Sequence, residues 1–173
     1  MHDNLRDERL SGALAHDRQL SEEEKANLKV VDLLVDLFNA GDIEGFVRRT
    51  YHPDYRMLVL DGTEWNGRRA DGFNIFQGYE PFIAMETFIR DAKPTRRFQL
   101  NRAIAAGNVV VVQMSLIDAQ DADYELPWCS VYTFQDGMII SDHAYLNHHD
   151  WPGSDAGLEA VGDGYDEHRP TAA

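Results

Sequence analysis

The run MIISDHAYLN, residues 138–147, sets a carboxyl beside an imidazole in an otherwise strand-like segment. Asp142 and His143 are neighbours, so strand alternation sends them to opposite faces. A bulge or a one-residue slip would exchange the two. A carboxyl buried in an apolar interior is pushed toward neutral pKa, where it can serve as acid or base. The structural alternative for Asp142 is a pairing with an arginine. Arg68 and Arg69 are adjacent and close to Trp65. An arginine folded over a cavity can bind a phenolate, a carboxylate or a developing oxyanion, although surface loops carry arginines for many reasons. Glu86 lies four residues after Phe82 and three before Ile89, on what should be the apolar face of a helix. It can project inward as a second acid/base group; a position at the helix edge is the simpler account. Tyr132 can donate a phenolic proton. With Trp65, Trp128 and Tyr55 it can also stack on an aromatic or polycyclic ligand, or serve an ordinary core.

Other patterns exclude chemistry. His148, His149 and Asp150, with His143 and His52, look metal-like, but no paired-ligand spacing exists and adjacent histidines project apart. No metal is expected. Cys129 reads as a small buried hydrophobe. There is no glycine-rich phosphate loop, nucleophile elbow or dinucleotide fingerprint, so no cofactor is expected. The net charge of −14 argues against nucleic-acid or anionic-membrane partners. No apolar run is long enough to span a bilayer, and the polar N-terminus does not resemble a signal peptide. A cytoplasmic protein is the default. Hydrophobic residues make up 43% of the chain, enough for a normal core.

The elements that must position these groups can be read in order. Residues 1–20 form a charged lead-in, 21–151 a single domain and 152–173 a Gly- and Asp-rich tail. SEEEKANLKVVDLLVDLF predicts a helix, with Ser21 as N-cap and Glu24 completing a capping box. Leu28, Val31, Leu34, Val35 and Phe38 recur on its inner face. Gly41 supplies a left-handed stop, and Asp42 caps a second helix that buries Ile43, Phe46 and Val47. DYRMLVLDG predicts a strand. Residues 61–77 read as a long loop, a candidate lid over a cavity mouth. A third helix starts near Pro81 and ends before Pro94. RRFQLNRAIAA, NVVVVQMSLID and LPWCSVYTFQ predict three strands, and Asp136-Gly137 a hairpin turn into the last.

This layout, with NAGDIEGF between the helices and FQDGMIISDHAYLN at the end, resembles the nuclear transport factor 2-like superfamily. SnoaL-like polyketide cyclases and ketosteroid isomerases are among its members. The likeness spans roughly residues 22–147. It implies a cone-shaped α+β barrel, in which a curved antiparallel sheet wraps three helices around an apolar cavity. It also implies that Asp142, Ala144 and Leu146 face that cavity and His143 does not. The familiar catalytic sets are missing. The isomerase tyrosine and aspartate fall on Leu34 and Val59, and the cyclase histidine and aspartate on Ser130 and Ala144. The epoxide hydrolase aspartate also falls on Ala144. The chain is further similar to lyases that cleave lignin-derived diarylpropanes. The resulting expectation is a cofactor-free lyase acting on a hydroxylated aromatic, by dehydration or by retro-aldol, deformylating cleavage. Asp142 would move the proton, Arg68 or Arg69 would stabilise the anion, and Tyr132 and His143 would stand in reserve. Trp65, Trp128, Tyr55, Glu86, Leu146 and Ser130 would bind substrate. The alternatives are an isomerase, cyclase or epoxide hydrolase on a steroid, polyketide or terpenoid, and a small-molecule-binding module without turnover. A homo-oligomer, dimer or trimer, is the expected assembly.

Overall fold

The computed structural model describes residues 19–60 and 74–146. Helix α1, Glu22–Ala40, opens with the capping box the sequence encodes: Ser21 accepts from Glu24 N, and the Glu24 side chain accepts from Ser21 N. The helix stops where Gly41 takes φ 81°, a left-handed conformation that costs a Cβ-bearing residue dearly. Asp42 then accepts from Gly45 N and starts α2, Ile43–Thr50. The tight reversal folds α2 back on α1, so that Leu34, Phe38, Phe46 and Val47 share one core.

Strand β1, Tyr51–Leu60, begins directly at the end of α2, three residues earlier than the sequence suggests. Helix α3 is Tyr79–Ala92. The remaining strands are β2 (Asn74–Gln77), β3 (Arg96–Ala106), β4 (Val109–Asp118), β5 (Asp121–Gln135) and β6 (Met138–Tyr145). Residues 74–77 were expected to be loop. They instead form an edge strand antiparallel to β1, an element too short to show a period of its own. The rest of the expected lid, 61–73, lies outside the described residues, as do Trp65, Arg68, Arg69, His148, His149 and Asp150.

The fold is α+β: one curved sheet in the order β2-β1-β6-β5-β4-β3, with three helices against its inner face. Neighbours run antiparallel except β1 and β6, which are parallel. Tight turns set the meander. Asp136 and Gly137 both have positive φ, 52° and 75°, as a type I′ hairpin requires. The helices are tied to the sheet by side chains that satisfy backbone ends. Glu24 accepts from Gly107 N at 2.8 Å, fixing α1 to the β3–β4 turn. Arg90 donates to Phe38 O at the end of α1 and to Arg96 O at the start of β3, both at 2.8 Å. This one guanidinium locks α1, α3 and β3 together. At Phe38 O it adds a second donor to the backbone N–H of Gly41.

Candidate functional site

The inner face of the sheet and the three helices enclose a cavity of about 70 Å³ open to the centres of water molecules. One water needs roughly 10–15 Å³ by that measure, so the space takes about five waters. Its walls are mostly apolar: Leu34 and Phe46 from the first two helices, Phe82 from α3, Phe98 from β3, Leu116 from β4 and Trp128 from β5. Into this apolar space project four polar side chains of note, Asp142, Tyr132, Glu86 and Arg96.

Asp142 is 2% exposed. It stands on β6 opposite Tyr132 of β5 and Met57 of β1, and the β5–β6 register runs unbroken from Cys129↔Tyr145 to Thr133↔Ser141. No bulge therefore flips the 142–143 pair. Asp142 faces the cavity, while half-buried His143 sits on the outer face between Leu58 and Val131. Tyr51 donates from its phenol to Asp142 Oδ2 at 3.0 Å. Oδ1 has no hydrogen-bond partner. Burial pushes the Asp142 carboxyl up to about 7, against the opposing pull of the Tyr51 hydroxyl. The Tyr51 and Tyr132 phenols are held well above their ordinary range, first by burial and then by the Asp142 charge, so both remain donors. Asp142 is paired with a tyrosine and not with an arginine.

Glu86 is not a helix-edge residue. It is buried, lines the cavity and receives Arg96 Nη2 at 2.6 Å. A carboxyl group among Phe82, Met85 and Ile89 needs a polar partner, and Arg96, ten residues on, supplies it. Arg96 also lies over the Phe38 ring, 5.0 Å from its centroid. Trp128, Ser130 and Leu146 line the cavity. Tyr55 does not: it is buried behind Tyr51, 5.1 Å between ring centroids, and its hydroxyl donates to Gly78 O. Its place on the inner face was legible, but the Tyr51 ring stands between it and the space.

Tyr51 and Arg96 are the polar cavity residues that sequence reading passed over. Tyr51 hides at a helix–strand junction, although it and Tyr55 and Met57 share one inward face. Arg96 opens an Arg-Arg pair that reads as surface. Its signal was the alternation with Phe98, together with the unpaired Glu86 on an apolar helix face. Among the described residues no group of three or more His, Cys, Asp or Glu could hold a metal ion, and no helix is long and apolar enough to cross a membrane.

The SnoaL-like domain model matches residues 31–141, which include both hairpin and helix-reversal signatures. The chain belongs to the SnoaL-like family. Solved structures agree on the fold. A Jannaschia sp. CCS1 protein classed as a SnoaL-like polyketide cyclase is 21% identical, with 75% of this chain and 91% of that one covered at a TM-score of 0.59. An LEH-like epoxide hydrolase of M. tuberculosis is 18% identical, covering 80% and 96%, TM-score 0.52. A Kribbella flavida protein classed as a ketosteroid isomerase is 14% identical, covering 72% and 79%, TM-score 0.53. No curated protein sequence matches the chain. These neighbours carry three different functional names, so the likeness shows the fold, and what the cavity does rests on the side chains in it.

Proposed function

We propose that this SnoaL-like protein is a cofactor-independent lyase acting on a small hydroxylated aromatic, with Asp142 as its acid and base. The observation that carries the reading is the Asp142 carboxyl itself: buried, balanced near neutrality, anchored through Oδ2 by Tyr51 and open at Oδ1. A carboxyl at about 7 is present in both forms at physiological pH, which suits a reaction that needs a proton given and then taken.

In the first step, protonated Asp142 gives its proton to a benzylic hydroxyl. The C–O bond breaks, water leaves, and the ring's phenolic oxygen passes its proton to water and supplies the electron pair that forms a quinone methide. In the second, the Asp142 carboxylate takes the proton of the neighbouring primary alcohol. The C–C bond breaks, its electron pair returns into the quinone methide, whose oxygen takes a proton back from water as a phenol, and formaldehyde leaves. The products are water, formaldehyde and a conjugated phenol, and Asp142 ends protonated as it began. Tyr132, whose buried phenol keeps its proton, would donate to an oxygen of the substrate. The residues at the positions of the isomerase tyrosine and of the cyclase and hydrolase groups (Leu34, Ser130, Ala144) line the same cavity and carry no acid or base.

A second reading, isomerisation, uses the same carboxyl to move a proton between two carbons. Product analysis separates the two. The protein is incubated with hydroxylated aromatic dimers, steroids and terpenoids, and products are followed by mass spectrometry. Loss of water and formaldehyde from a phenolic dimer supports the lyase. A product of unchanged mass supports the isomerase. No turnover of any substrate, or turnover undiminished in Asp142→Asn, refutes an acid/base role for Asp142.

A further inference from the structure

The cavity has two polar poles, and the reaction above uses only one. The other is the Arg96–Glu86 pair. Arg96 is 2% exposed, and its Nε has no hydrogen-bond partner although the atom is buried. Leaving a charged donor buried and unpaired is costly, and such groups are rare in folded proteins. Glu86 spends one bond on Arg96 Nη2, while a carboxylate has about four lone-pair sites to offer. The pair thus presents an N–H that needs an acceptor beside an oxygen group that can still accept. A hydroxyl answers both, by accepting at its oxygen and donating its hydrogen.

The surroundings indicate what carries that hydroxyl. Phe82 stands one turn before Glu86 on α3, and Phe98 shares the inner face of β3 with Arg96; both line the cavity. Phe98 meets Trp128 edge to face, 5.0 Å between centroids. Aromatic walls around the pair fit a flat ring better than a saturated chain. We propose that Arg96 and Glu86 form a recognition site for a phenolic hydroxyl, whose oxygen accepts from Arg96 Nε while its hydrogen bonds to Glu86. The assignment rests on the reading of the cavity as an aromatic-substrate site. It adds orientation: Arg96 on β3 and Asp142 on β6 lie at the two ends of the row β3-β4-β5-β6, three strand spacings apart along the wall of the same cavity. A ring held by its hydroxyl at one pole would present its opposite substituent to the carboxyl at the other.

Calorimetric titration with 4-methylphenol and with toluene tests the site. Neither ligand can undergo the cleavage, so the readout does not depend on any turnover. A hydrogen bond to a charged group is worth enough that the phenol should bind roughly tenfold tighter than toluene. Asp142→Asn should keep that preference. Arg96→Lys retains a positive charge opposite Glu86 and so protects the fold, but lacks the Nε–H, and should lose most of the preference. The double variant Arg96→Met/Glu86→Leu replaces the pair with apolar groups, and should bind toluene as before with no preference at all. The proposal is overturned if the wild type shows no preference, if Arg96→Lys keeps it in full, or if Asp142→Asn abolishes it. The last result would place the hydroxyl at the Asp142 pole.

Discussion

Replacing Asp142 with asparagine should cost activity and increase stability, with the gain growing as pH rises. The carboxyl is fully buried and titrates at about 7 in the folded protein, against an ordinary value of 3.8. Below pH 4 the group is protonated in both folded and unfolded chains and contributes no pH dependence. Between there and 7 the unfolded chain has lost the proton while the folded one retains it, so stability falls as pH rises. Above 7 both are ionised and the penalty is fully developed. Three decades of pH at about 1.4 kcal/mol each give a penalty of about 4 kcal/mol. Asparagine keeps the acceptor for Tyr51 and carries no charge. The stability difference between variant and wild type should therefore widen by about 3 kcal/mol from pH 5 to pH 8. Urea unfolding of both proteins at the two pH values measures it, and the other carboxylates cancel in the difference. On the proposed chemistry the same variant should lose roughly 10²-fold or more in turnover. A pH-independent stability difference would show that Asp142 is ionised at ordinary pH. The proton-transfer assignment would then lose its basis.

Tyr51→Phe removes a hydrogen bond that holds the Asp142 pKa down, so the pKa should climb further and the midpoint of the pH–rate profile should move to higher pH; a stationary midpoint would mean the phenol does not reach the working carboxyl. Gly41→Ala should destabilise by roughly 1–2 kcal/mol, since the site has φ 81° and a Cβ there would lie 3.0 Å from Arg90 Nη2; the urea midpoint reports it. Exhaustive dialysis against a chelator should leave turnover unchanged, and a loss restored by one divalent ion would contradict the proposed cofactor-free chemistry. The expected homo-oligomer has a candidate surface in the half-buried row Leu58, His143, Val131, Val111 and Ile104, in register across the outer face. Val131→Lys should shift the mass seen by light scattering toward the monomer if that face is the interface.

Local physics was legible in the sequence because it acts over a few residues. The capping box at Ser21 and Glu24, the glycine stop at Gly41, the Asp42 cap and the Asp136-Gly137 hairpin each need only the right residue at the right offset. All four stand in the structure as the sequence writes them. The inward face of the last strand followed from alternation once the family resemblance chose a side. Pairing could not be read this way. β2 exists because β1 offers it an edge, and the parallel contact of β1 with β6 joins segments some eighty residues apart, with no local signal in either. The site divides along the same line. Asp142 and Tyr132 were visible as polar residues at inward positions. The tyrosine that anchors Asp142 comes from 91 residues away, and Glu86 meets its arginine across a helix–strand turn. Burial raises the pKa of Asp142, and burial is a property of the closed sheet. A sequence states which side chains are present; the tertiary fold decides which of them lose water together, and so which of them acquire a perturbed proton.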